Sequence, residues 1–192
     1  MKKDLEIIRK EITEKIKTSK LCDPWFYEEH FLVVEKFAKE LFCLYPDVNK
    51  QAVMLAVWFH DVSRAWGKSK DHDFHSAEYA KKVLTQKGFD KKLIDLVYEV
   101  CRSHSCKKYQ PQSIEAKILT TADAMSHFSG GFYLRLIHKW GKTMEYAAAK
   151  KRLLKKIKRD YQEKILLQEA KKATKSLYQA WQMVIKEINL KK

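Results

Sequence analysis

Residues 52–61 read Ala-Val-Met-Leu-Ala-Val-Trp-Phe-His-Asp, and this stretch decides the fold. Its first eight residues are apolar without a break, which predicts a buried helix. The stretch ends in His60 and Asp61, an imidazole beside a carboxylate. Burying two such groups is costly unless they share a partner, and a divalent metal ion satisfies both. The sequence therefore predicts a metal site at the end of a buried helix.

Three more ionisable side chains lie on apolar stripes elsewhere in the chain. His30 lies on the apolar side of a helical pattern that runs to about residue 44. Asp123 interrupts the apolar pattern of residues 118–125, and His104 ends the apolar stripe of residues 93–101. Helical periodicity directs each of the three toward a core.

The order of these residues resembles a known family signature. His30, then His60 with Asp61, then Asp123 are similar to the His, His-Asp, Asp pattern of the HD superfamily of metal-dependent phosphohydrolases. The resemblance spans about residues 25–140. A lone His-Asp dipeptide is weak evidence, but several ordered elements in one chain are strong evidence.

Three longer segments extend the resemblance. Residues 72–80, His-Asp-Phe-His-Ser-Ala-Glu-Tyr-Ala, look like the family's His-x-x-x-Gly-Ala-x-x-Ala segment, with Ser76 in place of Gly. Residues 100–105 look like its apolar-x-x-x-His-Ser/Thr segment, and residues 113–124 resemble the helix that carries the final Asp.

The resemblance implies an all-α fold, an HD-domain helical bundle with additional C-terminal helices, and one or two divalent metal ions as cofactor. The candidate metal ligands are His30, His60, Asp61, His72, His104 and Asp123. Asp61 would bridge two ions, the second of which His72 and His104 would hold. Neutral imidazoles and carboxylates suit Mn, Fe, Co, Ni, Zn or Mg, and no thiolate narrows the choice.

Two histidines leave alternatives open. His75 lies one turn after His72 and could replace it as a ligand, but the small residues that follow favour His72. His127 follows Asp123 by one helical turn, lies outside the shared pattern, and would contact substrate or only fill space. Because some relatives keep a single metal ion, His72 and His104 need not be ligands.

The chemistry implied by this ligand set is hydrolysis of a phosphate ester or anhydride. Two ions about 3.5–4 Å apart generate a hydroxide nucleophile and polarise a phosphoryl oxygen, so Asp61 is a catalytic candidate. Arg64 is the candidate phosphate-binding group, because a guanidinium grips phosphate in a fork. The resemblance implies a phosphorylated small molecule as substrate, most often a nucleotide. It does not separate nucleotidase, pyrophosphohydrolase, dinucleoside-polyphosphate hydrolase and cyclic-nucleotide phosphodiesterase.

The C-terminal part of the chain is strongly basic. Residues 138–192 contain sixteen Lys or Arg and five Asp or Glu, and so supply +11 of the formal net charge of +15. The segment 150–159, from Lys150 to Arg159, predicts an amphipathic helix with a basic face. Its apolar side carries Leu153, Leu154 and Ile157. Two interpretations stay open: a solvated helix packed by its leucines, or a surface for nucleic acid or another acidic partner. The alternative function is therefore a nucleic-acid-associated binding module with a structural or regulatory metal site.

Composition sets the outer limits. At 192 residues with 45% hydrophobic composition, the chain is long enough for one domain with a full core. Five Gly and three Pro predict long helices with short connections, and no convincing alternating strand pattern occurs. Periodicity predicts helices over 4–18, 24–44, 49–61, 73–86, 90–104 and 113–128, with further helix from 132 onward. We expect one HD-type domain over residues 1–192, with the motif region at about 25–140 and a basic helical extension at about 141–192.

Membrane insertion and export are not expected. No apolar stretch approaches the roughly 20 residues of a membrane span, and the N-terminal Met-Lys-Lys-Asp-Leu-Glu lacks the apolar region of a secretory signal. We therefore expect no membrane partner and a cytoplasmic location, where the four cysteines stay reduced.

Overall fold

The computed structural model describes residues 2–68 and 70–185, and within these residues the chain is helical with no β-strand. Its α-helices are α1 (Lys2–Thr18), α2 (Leu32–Leu41), α3 (Lys50–Phe59), α4 (His72–Gln86), α5 (Lys91–Ser103), α6 (Ile114–Phe128), α7 (Phe132–Gly141), α8 (Tyr146–Arg159) and α9 (Gln168–Ile185). Shorter helical turns are the π-helical turns Tyr27–Phe31 and Asp160–Lys164 and the 3-10 turn Val62–Trp66. The prediction of an all-α fold is confirmed.

Helix α3 forms the centre of the core, as its apolar sequence requires. Seven of its ten residues are buried, and α1, α2, α4, α5 and α6 all pack against it. The Asn49 side chain caps its first turn by accepting from the N–H of Ala52 at 3.0 Å. A helix surrounded in this way delivers the two residues that follow it, His60 and Asp61, into the interior.

The segment before α2 differs from the prediction of one helix over residues 24–44. The π-helical turn Tyr27–Phe31 leads into α2, which ends at Leu41, and Leu44 is exposed in the turn that follows. A π-turn holds one residue more than an α-turn, so a pattern based on 3.6 residues per turn does not detect it. Such turns occur frequently at functional sites, and His30 lies in this one.

The C-terminal helices pack on the motif region. Helix α8 packs against α7 and α9, and α9 packs against α6. Leu153 and Ile157 are fully buried, whereas Leu154 is partly exposed. Burying two such side chains stabilises the packed helix by about 3–6 kcal/mol. Residues 186–192, the end of the expected extension, lie outside the described residues.

Two further expectations concern thiols and membranes. The four cysteines are free, and Cys101 is buried in the core. None of the helices in the described part of the chain is long and apolar enough to cross a bilayer.

Candidate metal centre

His60 follows α3 directly and is fully buried. Its Nδ1–H donates to the carbonyl oxygen of Val57 at 2.7 Å, one turn back in the helix. This bond leaves the lone pair on Nε2, the form of the ring that binds a metal ion. Burial lowers the pKa of His60 to about 3, so the ring is neutral at physiological pH. Both tautomer and charge therefore suit a ligand.

His30 reaches the same point from the π-turn before α2. Its Nδ1 lies 2.9 Å from Ser126 Oγ, and that hydroxyl donates its own proton to the carbonyl oxygen of Asp123 at 2.7 Å. His30 Nδ1 is therefore the donor, and the lone pair is on Nε2. His30 Nε2 lies 3.4 Å from His60 Nε2. Two lone pairs this close repel each other, and a cation between them removes the repulsion.

Asp61 offers its two oxygens to different neighbours. Oδ2 lies 3.7 Å from His30 Nε2 and accepts from Arg64 Nε at 2.6 Å. Oδ1 lies 3.2 Å from His72 Nε2 and 3.7 Å from His104 Nε2, yet it makes no hydrogen bond. A buried carboxylate oxygen without a hydrogen bond is costly, and a metal ion satisfies it. Asp61 thus has the geometry of a carboxylate that bridges two histidine groups.

The second histidine pair comes from the start of α4 and the end of α5. His104 donates from Nδ1 to the carbonyl oxygen of Cys101 at 2.6 Å, which leaves the lone pair on its Nε2. Burial lowers the pKa of His72 to about 4, so this ring is also neutral at physiological pH. The two Nε2 atoms lie 3.3 Å apart. His75, the alternative to His72, does not line the cavity that contains this pair.

His127 joins the cluster through contacts that the shared sequence pattern does not contain. Its Nε2 lies 3.4 Å from Asp123 Oδ1. Its Nδ1–H donates to Asp160 Oδ2 at 2.9 Å, and the Asp160 carboxylate also accepts from the Tyr133 hydroxyl at 2.9 Å and from Lys156 at 2.8 Å. A carboxylate that holds the far nitrogen of an imidazole is the usual support of a metal-binding histidine. The His127 ring is therefore oriented as a ligand would be.

Both carboxylates of the cluster are held in the ionised form. Burial by itself would raise the pKa of Asp61, but the Arg64 guanidinium and the surrounding histidines together outweigh burial and hold the pKa well below its usual range. In the same way burial opposes ionisation of Asp123, but the Lys164 ammonium together with the neighbouring histidines keeps the pKa of Asp123 low. Ionised carboxylates and neutral imidazoles are the forms that bind a divalent ion.

The structure brings all six candidate ligands together and adds His127. Ligand atoms lie within 4.8 Å of one another in three overlapping groups: His30, His60 and Asp61; His30, Asp123 and His127; and Asp61, His72 and His104. Metal–ligand bonds of about 2.0–2.2 Å put neighbouring ligand atoms roughly 3–4 Å apart. The spacing and the mixture of nitrogen and oxygen donors therefore fit one or two divalent ions.

The C-terminal segment also reaches this centre, which the sequence reasoning did not identify. Lys164 is buried, and its Nζ contacts Asp123 Oδ2. Lys156, Asp160 and Lys164 recur every four residues, so they lie on one helical face. That repeat of lysine, aspartate and lysine is the sequence signal that was available.

A cavity of about 460 Å³ opens onto the cluster. Arg64 lines it, as expected of a phosphate-binding group. Arg152, Lys156 and Arg159 of α8 line it as well. Part of the basic face predicted for residues 150–159 therefore lies along the cavity wall.

Comparison with known proteins agrees with this geometry. The sequence model of the HD domain matches residues 27–127, just over half of the chain. The crystal structure of a predicted HD superfamily hydrolase from an uncultured Thermotogales bacterium is similar, with a TM-score of 0.65 and 22% sequence identity. The likeness covers 94% of this chain and 88% of that chain, and at this identity it shows a shared fold. No curated protein gives a significant match.

Proposed function

This chain belongs to the HD-domain family, and from that premise we propose that it is a metal-dependent phosphohydrolase. The observation that carries the proposal is the convergence of seven buried His and Asp side chains whose nitrogen lone pairs and carboxylate oxygens face one another. Such an arrangement is unfavourable without a cation and favourable with one.

Each ligand has a role in the proposal. His30, His60, Asp61 and Asp123 would hold one ion, with His127 as a further imidazole beside Asp123. A second ion would be held by Asp61, His72 and His104, whose ligand atoms lie within 4.8 Å of one another, as do those of His30, His60 and Asp61. When bound, the ions supply a water nucleophile at neutral pH and offset charge on the phosphoryl oxygens.

The remaining side chains orient the ligands and the substrate. Arg64 uses Nε to hold Asp61, which leaves its terminal nitrogens to grip a phosphate oxygen. Lys164 keeps Asp123 ionised and in position, and Asp160 does the same for the ring of His127. No serine or cysteine nucleophile is required, because water would attack the phosphorus atom directly while the bond from phosphorus to the leaving oxygen breaks and that oxygen takes up a proton.

The proposed substrate is a phosphorylated small molecule of the nucleotide class. The cavity of about 460 Å³ is of a size that holds such a molecule. Trp25, Phe132 and Trp140 line it together with the cations, and these aromatic faces suit a planar ring.

A phosphate-release screen tests the proposal. Purified protein, loaded in turn with Mn, Fe, Co, Ni, Zn or Mg, is given a panel of phosphorylated metabolites, and free phosphate is measured. We expect release with at least one metal, loss of release on chelation, and none in the Asp61→Ala variant. Turnover that survives in metal-free protein, or in a folded His60→Ala/Asp61→Ala variant, would show that this cluster is not the active site.

One observation supports the alternative, a nucleic-acid-associated binding module. Lys151, Lys155 and Lys158 are exposed on the side of α8 away from the cavity, at helical spacing. A basic row of this kind attracts phosphate backbones, and its affinity falls steeply as salt rises. This surface is separate from the metal centre, so both functions are compatible with one chain.

A further inference from the structure

The cavity is lined by more cationic side chains than anionic side chains. Seven Lys or Arg side chains and four Asp side chains line it. Each Asp is matched with one cation: Asp23 with Lys139 at 2.8 Å, Asp61 with Arg64 at 2.6 Å, Asp160 with Lys156 at 2.8 Å, and Asp123 with Lys164. Three cations therefore remain in excess, before any metal ion adds further positive charge.

The three excess cations are Lys107, Arg152 and Arg159. Within the described residues, Lys107 and Arg152 form no ion pair with a carboxylate. Arg159 has only a long contact of 3.7 Å to the exposed Glu163, which is outside the cavity. Cations that are not neutralised by a carboxylate in a concave site attract an anion from solution. Their charge is thus available to a ligand.

Arg159 and Arg152 are positioned by contacts with uncharged groups. Arg159 donates to the carbonyl oxygen of Ser105 at 2.5 Å, which ties α8 to the loop that carries Lys107. The Arg152 guanidinium lies over the ring of Trp140, 4.3 Å from its centroid, at the mouth of the cavity. The N–H groups of a guanidinium point outward in its own plane. A guanidinium that lies over an aromatic ring can therefore still donate hydrogen bonds to an anion.

We propose that Lys107, Arg152 and Arg159 form a second anion subsite that binds a phosphate group other than the one being hydrolysed. The proposal rests on the phosphohydrolase function proposed above. It narrows the substrate to molecules that carry at least two phosphates, such as a phosphoanhydride of the nucleotide class. Monophosphates and cyclic monophosphates lack the group that this subsite binds.

The direction in which the subsite extends from the metal cluster supports a second phosphate. Arg159 directly precedes Asp160, whose carboxylate contacts His127 at the cluster. Arg152 lies about two helical turns further from the cluster along α8, so the cations continue outward from the metal ligands. An anion that contacts the cluster and the subsite extends along the cavity wall formed by α8.

Binding of two inorganic probes tests the subsite without turnover. The dissociation constants of orthophosphate and of imidodiphosphate, a diphosphate analogue that resists hydrolysis, are measured by calorimetry on metal-loaded protein with excess metal in the buffer. We expect imidodiphosphate to bind at least about 10-fold more tightly, since it adds charge-assisted hydrogen bonds. Equal affinities of the two probes would overturn the proposal.

A double variant locates the effect. Lys107→Ala/Arg152→Ala leaves the Arg159–Ser105 contact intact, and we expect it to bring imidodiphosphate to within about 3-fold of orthophosphate. The matched control is Lys172→Ala/Lys175→Ala, which removes two exposed cations of α9 outside the cavity. An equal loss in the control would mean that net charge, not a subsite, attracts the anion, and would overturn the proposal.

The outcome separates this proposal from the proposed function. Protein that prefers imidodiphosphate but releases no phosphate from any compound has the subsite and is not the hydrolase. Protein that releases phosphate but binds both probes equally is the hydrolase without the subsite.

Discussion

The region that matches the HD domain, residues 27–127, and the helical segment that follows, residues 132–185, contribute to the same centre in different ways. The first region supplies the candidate ligands, whose spacing along the sequence was informative. The second region supplies Asp160 and Lys164, which contact those ligands from behind. A motif thus locates the ligands but not the side chains that set their charge and orientation.

Each region contributes side chains to the metal centre from a π-helical turn. His30 lies in the π-helical turn Tyr27–Phe31, and Asp160 and Lys164 lie in the π-helical turn Asp160–Lys164. A π-turn is less stable than an α-turn and persists where packing or a site favours it. Both turns place a titratable side chain in the buried cluster.

The largest effect is expected in the first region, for Asp61→Ala. Loss of the proposed bridging carboxylate should remove most of the bound metal and lower turnover by at least about 1000-fold, since metal ions contribute several kcal/mol of charge stabilisation. Elemental analysis and phosphate release measure the two effects. Glu35→Gln is the matched control, because Glu35 is a buried carboxylate that does not line the cavity. Unchanged metal content in folded Asp61→Ala protein would refute the ligand assignment.

The next largest effect is expected on the free energy of unfolding, to which the packing of the second region contributes. Leu153→Ala removes a fully buried side chain of α8 and should lower the free energy of unfolding by about 2–5 kcal/mol. Lys155→Ala, an exposed site on the same helix, should change it by less than about 0.5 kcal/mol. Urea unfolding measures both. A Leu153→Ala variant as stable as the Lys155→Ala variant would mean that α8 is not packed on the core.

A smaller effect is expected where the two regions meet. Asp160→Asn weakens the support of His127 and should reduce metal affinity or turnover by about 10–100-fold, the usual cost of losing a group behind a ligand. Tyr133→Phe is the control, because it removes a different hydrogen bond to the same carboxylate and leaves the His127 contact in place. If both variants lose activity equally, Asp160 acts through general packing and not through His127.

The smallest effect is expected on the outer side of α8. Reversing charge with Lys151→Glu, Lys155→Glu and Lys158→Glu should change phosphate release by less than about 2-fold, because these exposed residues do not line the cavity and salt screens them. The same variant should weaken any nucleic-acid binding in a gel-shift titration at two salt concentrations. Absence of binding by the unaltered protein at low salt would rule out the nucleic-acid alternative.

Many of the candidate ligands in the first region were predictable, because their ionisable side chains occur at positions that the apolar pattern predicts to be buried. A histidine and an aspartate at the end of an apolar helix have few explanations, so His60 and Asp61 predicted a buried cluster of His and Asp side chains from sequence alone. The repeat of Lys156, Asp160 and Lys164 was a much weaker signal, because lysine is common throughout the basic C-terminal part and the burial of Lys164 depends on packing between distant segments. The sequence likewise did not distinguish Arg152 and Arg159, which line the cavity, from the neighbouring cations that face solvent.

The position of bound metal is the decisive test of the proposed metal centre. Crystals of metal-loaded protein, measured on both sides of the metal's X-ray absorption edge, give the ion positions from anomalous scattering. We expect a peak within about 2.0–2.2 Å of His30 Nε2, His60 Nε2 and oxygens of Asp61 and Asp123, and any second peak beside His72 and His104. A fully loaded crystal with its anomalous peaks elsewhere on the protein, or with none in this cluster, would refute the proposed metal centre.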